Sequence, residues 1–365
     1  MGNGYRNKGM NKEPKFIVFN QPDLGPRESE AVISVLKSGW IGTGKIAHQF
    51  EEEFAEFMGG GYAVSVSSCT MGLQLALKVL KIDISGDVIT TPLTFAATLN
   101  AILSVGANPV LVDVMENGCI DLDEVNKSVT KYTKAILPVH YSGSTCKISE
   151  IKNKKIPIVE DCAHAFGSKF DKRGDFQVYS FYANKNITCG EGGMVLCKDK
   201  QLAEEIRVLS MQGLSLGAWE RYGKGPVKKY SVEKVGYKGN MPDILAAIGL
   251  VQLKRWPEIK EKRMNVFSIY EKAFGFIQSG HSTHFYPLRV DDRDMVRLKL
   301  FEKGIGTGIH YKPLHLEPAY CTLGFKVGDF PIAEKFAEEE LSLPVSSTMT
   351  IDDAHRVVEA VKEIV

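Results

Sequence analysis

The segment SFYANKNITCGEGGMVLC, Ser180 to Cys197, constrains this chain more than any other. An apolar, strand-like run leads into one lysine, Lys185, and a glycine-rich turn returns the chain into a second apolar run. Short apolar runs bounded by turn residues read as buried strands. A lysine at the mouth of a core strand is badly placed as a solubilising charge. Its amine is well placed to form a Schiff base with a carbonyl compound.

The surrounding pattern is that of an α/β protein. Strand-like stretches at Tyr62–Ser67, Asp87–Thr91, Pro109–Asp113, Ala135–His140, Ile156–Glu160, Val178–Phe181 and Met194–Cys197 fall among helix-like ones. The helix-like stretches are Glu28–Lys37, His48–Phe57, Thr70–Leu80 and Ala96–Val105. Such alternation predicts a mainly parallel sheet. Ligands of open α/β sheets bind at the carboxyl ends of the strands. Ser67, Thr91, His140, Asp161 and Lys185 all lie near such ends.

Further on, Pro242–Trp256 reads as a helix that Pro257 stops, followed by a charged helix, Glu258–Phe274. The remainder predicts strands Thr283–Val290 and Thr307–Tyr311, a helix Arg293–Lys303 and a last helix from Ile351. This divides the chain into a disordered tail (1–15), a large α/β domain (16–256) and a smaller C-terminal α+β domain (257–365). Gly213–Lys238 is rich in glycine and lysine, with little periodicity, and reads as a mobile loop.

Composition narrows the partners. Lys+Arg number 45 and Asp+Glu 44, a formal charge of +1, so no bulk field draws nucleic acid or an anionic membrane. The longest apolar region, Thr94–Val112, is broken by Asn100, Asn108 and Pro109 and does not span a bilayer. Seven cysteines without a CxxC pair suggest reduced thiols and a cytoplasmic setting, and no metal site is expected. The polar start of the chain lacks the apolar core of a signal peptide. Arg6 stands where myristoylation wants Ser or Thr.

A Schiff-base lysine points to pyridoxal phosphate (PLP), which also needs an acid beside its pyridine nitrogen and a phosphate cup. IPIVEDCAHAFG puts Glu160 and Asp161 directly after an apolar strand. Alternation turns one of the two toward the cofactor, and Asp161 is favoured. A carboxylate there keeps the ring nitrogen protonated. Ser67, Ser68, Cys69 and Thr70 precede a helix whose free amides and dipole suit phosphate. Ser180 can add a donor. His164 can stack on the ring or bond to it, or be a satisfied structural histidine. Phe95 can cover the other ring face. Read singly, each is commoner as a cap, loop starter, surface charge or core residue. Their conjunction in this order carries the argument.

These stretches resemble the sugar aminotransferases of PLP fold type I, the DegT/DnrJ/EryC/StrS family. SGWIGTGK, VSSCTMGLQLAL, TPLTFAATLNAI, PVHYSG, VEDCAHAFGS, SFYANKNITCGEGGMV and DILAAIGLVQL carry the likeness, from about Phe19 to the C-terminus. The resemblance implies a large domain with a mainly parallel sheet of the seven-stranded type. It makes Lys185 the Schiff-base lysine and Asp161 the pyridinium partner. It assigns Ser68, Cys69, Thr70 and Ser180 to phosphate and Phe95 to the ring face. It also implies a homodimer with a shared site, in which Asn240 reaches the neighbouring subunit's phosphate. GYKGNMPDILAAI and GIGTGIHYKPLH look most like nucleotide-sugar 4-aminotransferases of the UDP-4-amino-4-deoxy-arabinose type. The links Gly143–Ile156 and Gly167–Ser180 are shorter than the family's usual ones, so loops near the sugar pocket are trimmed.

The function expected is transfer of an amino group from glutamate to a nucleotide-linked 4-keto sugar for surface glycan synthesis. Arg221, Lys224, Lys228, Lys229, His310 and Lys312 are candidates for the diphosphate. Trp219 is one for stacking on a sugar or base, and Thr43 and Gly44 for the sugar pocket, with Tyr311 beside His310. The alternatives are a 3-keto sugar or keto-inositol as acceptor, or a PLP-binding regulator without turnover. Lys185 and Asp161 argue against the last.

Overall fold

The computed structural model describes residues 15–222, 229–275 and 280–365. The central sheet is built from β1 (Tyr62–Val66), β2 (Asp87–Thr90), β3 (Asn108–Leu111), β4 (Thr133–Ile136), β5 (Val159–Asp161), β6 (Phe176–Ser180) and β7 (Gly193–Cys197). Hydrogen-bonded ladders give the orders β3-β2-β4 and β1-β7-β6-β5. Parallel bridges Ile136 to Ile158 and Val139 to Asp161 join β4 to β5. The strand order is therefore 3-2-4-5-6-7-1. Only β7 runs against its neighbours. A mainly parallel seven-stranded sheet is what the sequence suggested.

Both faces of the sheet are covered, which is why its strands read as apolar runs rather than alternating ones. On one face Val178 and Val195 pack against Leu73, Ala76, Ile102 and Ile206. These come from α3 (Cys69–Val79), α4 (Ala96–Ser104) and α6 (Lys200–Ser210). On the other face Tyr179, Phe181 and Met194 meet Phe50, Phe54, Leu250 and Trp256. Helix α1 spans Pro26–Ser38, α2 Lys45–Phe57 and α5 Leu122–Ser128. Helix α7 spans Ala218–Tyr222 and α8 Asp243–Phe274.

Pro257 does not stop a helix: α8 runs 32 residues with Pro257 inside it. One lost backbone bond is outweighed because the two halves are gripped by different cores. Leu250, Leu253, Trp256 and Ile259 pack under the sheet. Val266, Phe267 and Tyr270 pack in the C-terminal core. Buried Arg255 also ties this stretch to Glu28 of α1 at 2.6 Å and to Asp23 at 3.0 Å.

In the C-terminal part, β8 (Tyr286–Arg289) pairs antiparallel with β9 (Glu340–Leu343). Around them lie α9 (Arg293–Glu302), α10 (Pro331–Glu339) and α11 (Ile351–Ile364). The strand expected at Thr307–Tyr311 is not one. Gly308 exchanges two backbone bonds with Ser342, and the chain then leaves the sheet. β9, buried at every position, lies between Gly308 and β8. β8 also starts later than Thr283, since the carbonyls of Thr283 and His284 are taken by buried Arg263. Among the described residues, the expected loop Gly213–Lys238 holds α7 and the bridges Met211 to Lys238 and Leu214 to Val232. No helix among the described residues is long and apolar enough to cross a membrane.

Candidate active site

The carboxyl ends of β5 and β6 and the start of α3 open into one cavity of about 550 Å³. Its wall includes Ser68, Cys69, Thr70, Phe95, Asp161, His164, Ser180, Lys185, His310 and Tyr311. Residues 68 to 311 of the sequence thus converge on a single space.

Asp161 ends β5 and points into the cavity, while Glu160 points to the opposite side. Glu160 accepts from His140 Nε2 at 2.8 Å and from the Gly174 amide at 2.7 Å, fully buried. Strand alternation therefore selects Asp161, as expected. The oxygens of Asp161 receive the Thr98 hydroxyl at 2.9 Å and the Ala163 amide at 3.0 Å. Burial pushes its carboxyl above the usual range, although those bonds and the Lys185 charge pull the other way. A carboxylate so placed gains from a cationic N–H partner.

Lys185 follows β6, where its amide donates to the Tyr182 carbonyl at 3.0 Å. Burial lowers its amine to about 8, against the opposing pull of Cys69 and Asp161. At neutral pH about a tenth of such an amine is uncharged, some 300-fold more than for a free lysine.

The first turn of α3, the expected phosphate cup, lines the cavity. Ser68 caps it, accepting from the Met71 amide at 3.1 Å. The amides of Cys69 and Thr70 belong to the first turn, which has no intrahelical acceptors. Gly193 on β7 lets the sheet approach: a Cβ there would meet Cys69 N at 2.7 Å. Ser180 Oγ accepts from the Tyr182 amide at 3.3 Å, leaving its hydrogen for another acceptor. A largely desolvated amine, a carboxylate held ionisable by two donors and an anion-binding helix start, all around one cavity, fit PLP.

Both nitrogens of His164 have protein partners, the Ser142 amide at 3.3 Å and Tyr311 Oη at 2.9 Å, while its ring lines the cavity. Phe95 lies 5.9 Å from Tyr311, ring to ring.

Several residues read as site candidates, Lys229 among them, do not line this cavity. Asn240 donates to Thr43 at 2.5 Å and accepts from Lys238 at 2.7 Å. The Gly44 amide donates to Asp243 at 2.7 Å, and that carboxylate also caps α2 through the Ala47 amide. A Cβ on Gly44 would strike Trp40, so its glycine has a packing reason. Trp219 packs edge-on against Trp40 at 4.9 Å, with Lys45 over its ring. Arg221 stacks on Tyr222 and Tyr230, and Lys312 pairs with Glu317 at 3.3 Å. Lys224 and Lys228 lie outside the described residues.

Sequence reasoning missed Thr98, Thr94, Tyr182, Asn184 and Glu191. Thr94 bonds Thr98 at 2.7 Å, and that pair stands one helical turn apart in TPLTFAATL. That i, i+4 spacing was the available signal.

The sequence profile described as the DegT/DnrJ/EryC1/StrS aminotransferase family matches residues 22–362. The spore coat polysaccharide biosynthesis protein SpsC of Bacillus subtilis is 40% identical over 384 residues, 98% of this chain and 99% of that protein. Spr1654 of Streptococcus pneumoniae, solved in its PLP form, is 30% identical with a TM-score of 0.88, over 96% of this chain and 100% of that one. Helicobacter pylori PseC, an aminotransferase in the biosynthesis of pseudoaminic acid, is 27% identical with a TM-score of 0.88, over 96% and 99%. Geometry and likeness agree on a PLP cofactor, and this chain belongs to the DegT/DnrJ/EryC1/StrS aminotransferase family.

Proposed function

We propose that this chain moves an amino group from glutamate to a nucleotide-linked 4-keto sugar, as part of surface glycan synthesis. The observation that carries the reading is the single cavity shared by the Lys185 amine, the Asp161 carboxylate and the first turn of α3. The names of SpsC and PseC, a coat polysaccharide protein and an amino-sugar enzyme, support the sugar and the setting. The 4-keto position and the nucleotide rest on the arabinose-type likeness of GYKGNMPDILAAI and GIGTGIHYKPLH.

When bound, PLP supplies an aldehyde that condenses with amines and a ring that accepts the electron pair left at the donor's α-carbon. The chain supplies the rest. Ser68, Cys69, Thr70 and Ser180 hold the phosphate. Asp161 keeps a proton at the ring nitrogen, and the bonds from Thr98 and Ala163 favour its ionised form against the pull of burial. Lys185 Nζ takes the proton from the α-carbon of glutamate and returns one to the carbon that becomes the sugar's amine carbon. Its lowered affinity for protons suits it to act in both directions near neutral pH. Phe95 and Tyr182 line the cavity yet are 60% and 47% exposed, so a second copy of the chain, as in a homodimer, is the natural cover for the site.

The test is a panel of UDP-, GDP- and dTDP-linked 3-keto and 4-keto sugars given to PLP-loaded protein with glutamate. An amino sugar is expected from a 4-keto member, and Lys185→Ala should retain at most trace turnover. Product only from 3-keto sugars or a keto-inositol overturns the 4-keto assignment, and no glutamate-driven loss of PLP absorbance overturns the transamination.

A further inference from the structure

Two adjacent side chains on the cavity wall have hydrogen-bond roles that their supports dictate. Ser142, after β4, holds a left-handed backbone with φ 55° and ψ −4°. That conformation is rare for a residue with a Cβ and persists where surroundings impose it. It aims the Ser142 amide at His164 Nδ1, while the Ser142 hydroxyl donates to the Phe285 carbonyl at 2.8 Å. A backbone N–H can only donate, so Nδ1 accepts and the neutral ring carries its hydrogen on Nε2. Nε2 then donates to Tyr311 Oη at 2.9 Å. The hydrogen of Tyr311 is left over, and no other acceptor takes it among the described residues.

His310 is supported in the opposite sense. Buried Glu340 accepts from the His310 amide at 2.8 Å and from the Ser342 hydroxyl at 2.5 Å. With Glu340 ionised, Ser342 gives its one hydrogen to that carboxylate, so its oxygen accepts from His310 Nδ1 at 2.7 Å; burial raises Glu340 to about 7, so this polarity belongs to pH above 7. The neutral ring therefore keeps its lone pair on Nε2, and no donor meets Nε2 among the described residues. Burial keeps both imidazoles uncharged, His310 being lowered to about 3. One wall of the cavity thus presents a committed donor beside a committed acceptor.

We propose that this pair reads an α-hydroxy ketone: Tyr311 Oη–H donates to the keto oxygen, and His310 Nε2 accepts from the hydroxyl on the adjacent carbon. The inference rests on the sugar-ketone reading above and adds what the site demands of the carbon beside the reacting one. A group built to bond a hydroxyl rejects an analogue that lacks it, because its own lone pair is then buried unpaired.

The test uses protein loaded with pyridoxamine phosphate and single turnover of dTDP- and UDP-linked 4-keto-6-deoxyglucose, each against its 3-deoxy counterpart. Wild type should prefer the 3-hydroxy ketone by about 10- to 100-fold. His310→Phe, which keeps the stack on Phe285, should bring the preference within about threefold. Tyr311→Phe should slow both ketones alike, by about 10- to 100-fold, since both carry the keto oxygen. Equal turnover of the two ketones by wild type overturns the proposal. So does a shift in the absorbance of PLP-loaded Tyr311→Phe, which would place that hydrogen on the cofactor. If no ketone is consumed while glutamate still bleaches the PLP band, the substrate reading beneath the proposal is the part that fails.

Discussion

Replacing Lys185 by methionine should stabilise the cofactor-free protein, and by an amount that depends on pH. The folded amine titrates near 8, whereas the unfolded one titrates at 10.5. Below pH 8 both states carry the charge, and the fold bears the full cost of enclosing it. A shift of two and a half units corresponds to about 3 kcal/mol. Lys185 is partly exposed to the cavity, so solvent screening brings the expected cost to roughly 1–3 kcal/mol. Between pH 8 and 10.5 the folded state has released its proton and the unfolded state has not. The unfolded state then binds more protons, so wild-type stability rises with pH across this window. Lys185→Met removes that titration and keeps the apolar stem. Urea unfolding of both proteins, stripped of PLP, at half-unit steps from pH 7 to 10.5 measures the gap. The Cys197 thiol, which burial raises to about 11 with no contribution from Lys185, acts in both proteins and cancels in the difference. The variant should lead by roughly 1–3 kcal/mol at pH 7 and lose that lead by pH 10.5. A constant gap, or a less stable variant at pH 7, would refute the claim that the amine is held in a desolvated site.

The same amine sets the speed of cofactor capture. The second-order rate of PLP uptake by stripped wild type, followed by absorbance, should rise about tenfold per pH unit below 8 and level off above it. Thr98→Val removes the 2.9 Å donor to Asp161 and should weaken PLP binding about 5- to 20-fold in a fluorescence titration, with no change expected in the fold by circular dichroism. Gly193→Ala would set a Cβ within 2.6–2.8 Å of the Ser68–Cys69 backbone, so the first turn of α3 must move. It should cost about 1–3 kcal/mol in urea unfolding and weaken PLP far more than pyridoxal, which lacks the phosphate.

Much of the site was legible in the chain because local chemistry wrote it. Lys185 stands out where a lysine has no business in a core hairpin. Asp161 is set apart from Glu160 by strand parity, since neighbours along a strand face opposite sides. Ser68 to Thr70 announce a helix start, and buried strands show as apolar runs. Those features depend on a few consecutive residues.

What only the tertiary structure decided are the pairings between distant segments. Pro257 reads locally as a helix stop, yet two separate cores hold α8 straight through it, and contact with a core is not a property of the sequence around a proline. Thr307–Tyr311 has the composition of a strand, but only Gly308 pairs with β9 before the chain leaves the sheet, and how far a pairing extends is settled by the whole fold. Thr43 and Gly44 lie far from Asn240 and Asp243 in the chain, yet the fold joins them: Asn240 bonds Thr43, and the Gly44 amide meets Asp243 at the start of α2. The hydrogen-bond roles of Tyr311 and His310 come from Ser142 and Glu340, 169 and 30 positions away. A residue's type states what it can donate or accept, but only its neighbours in space determine which of the two it does.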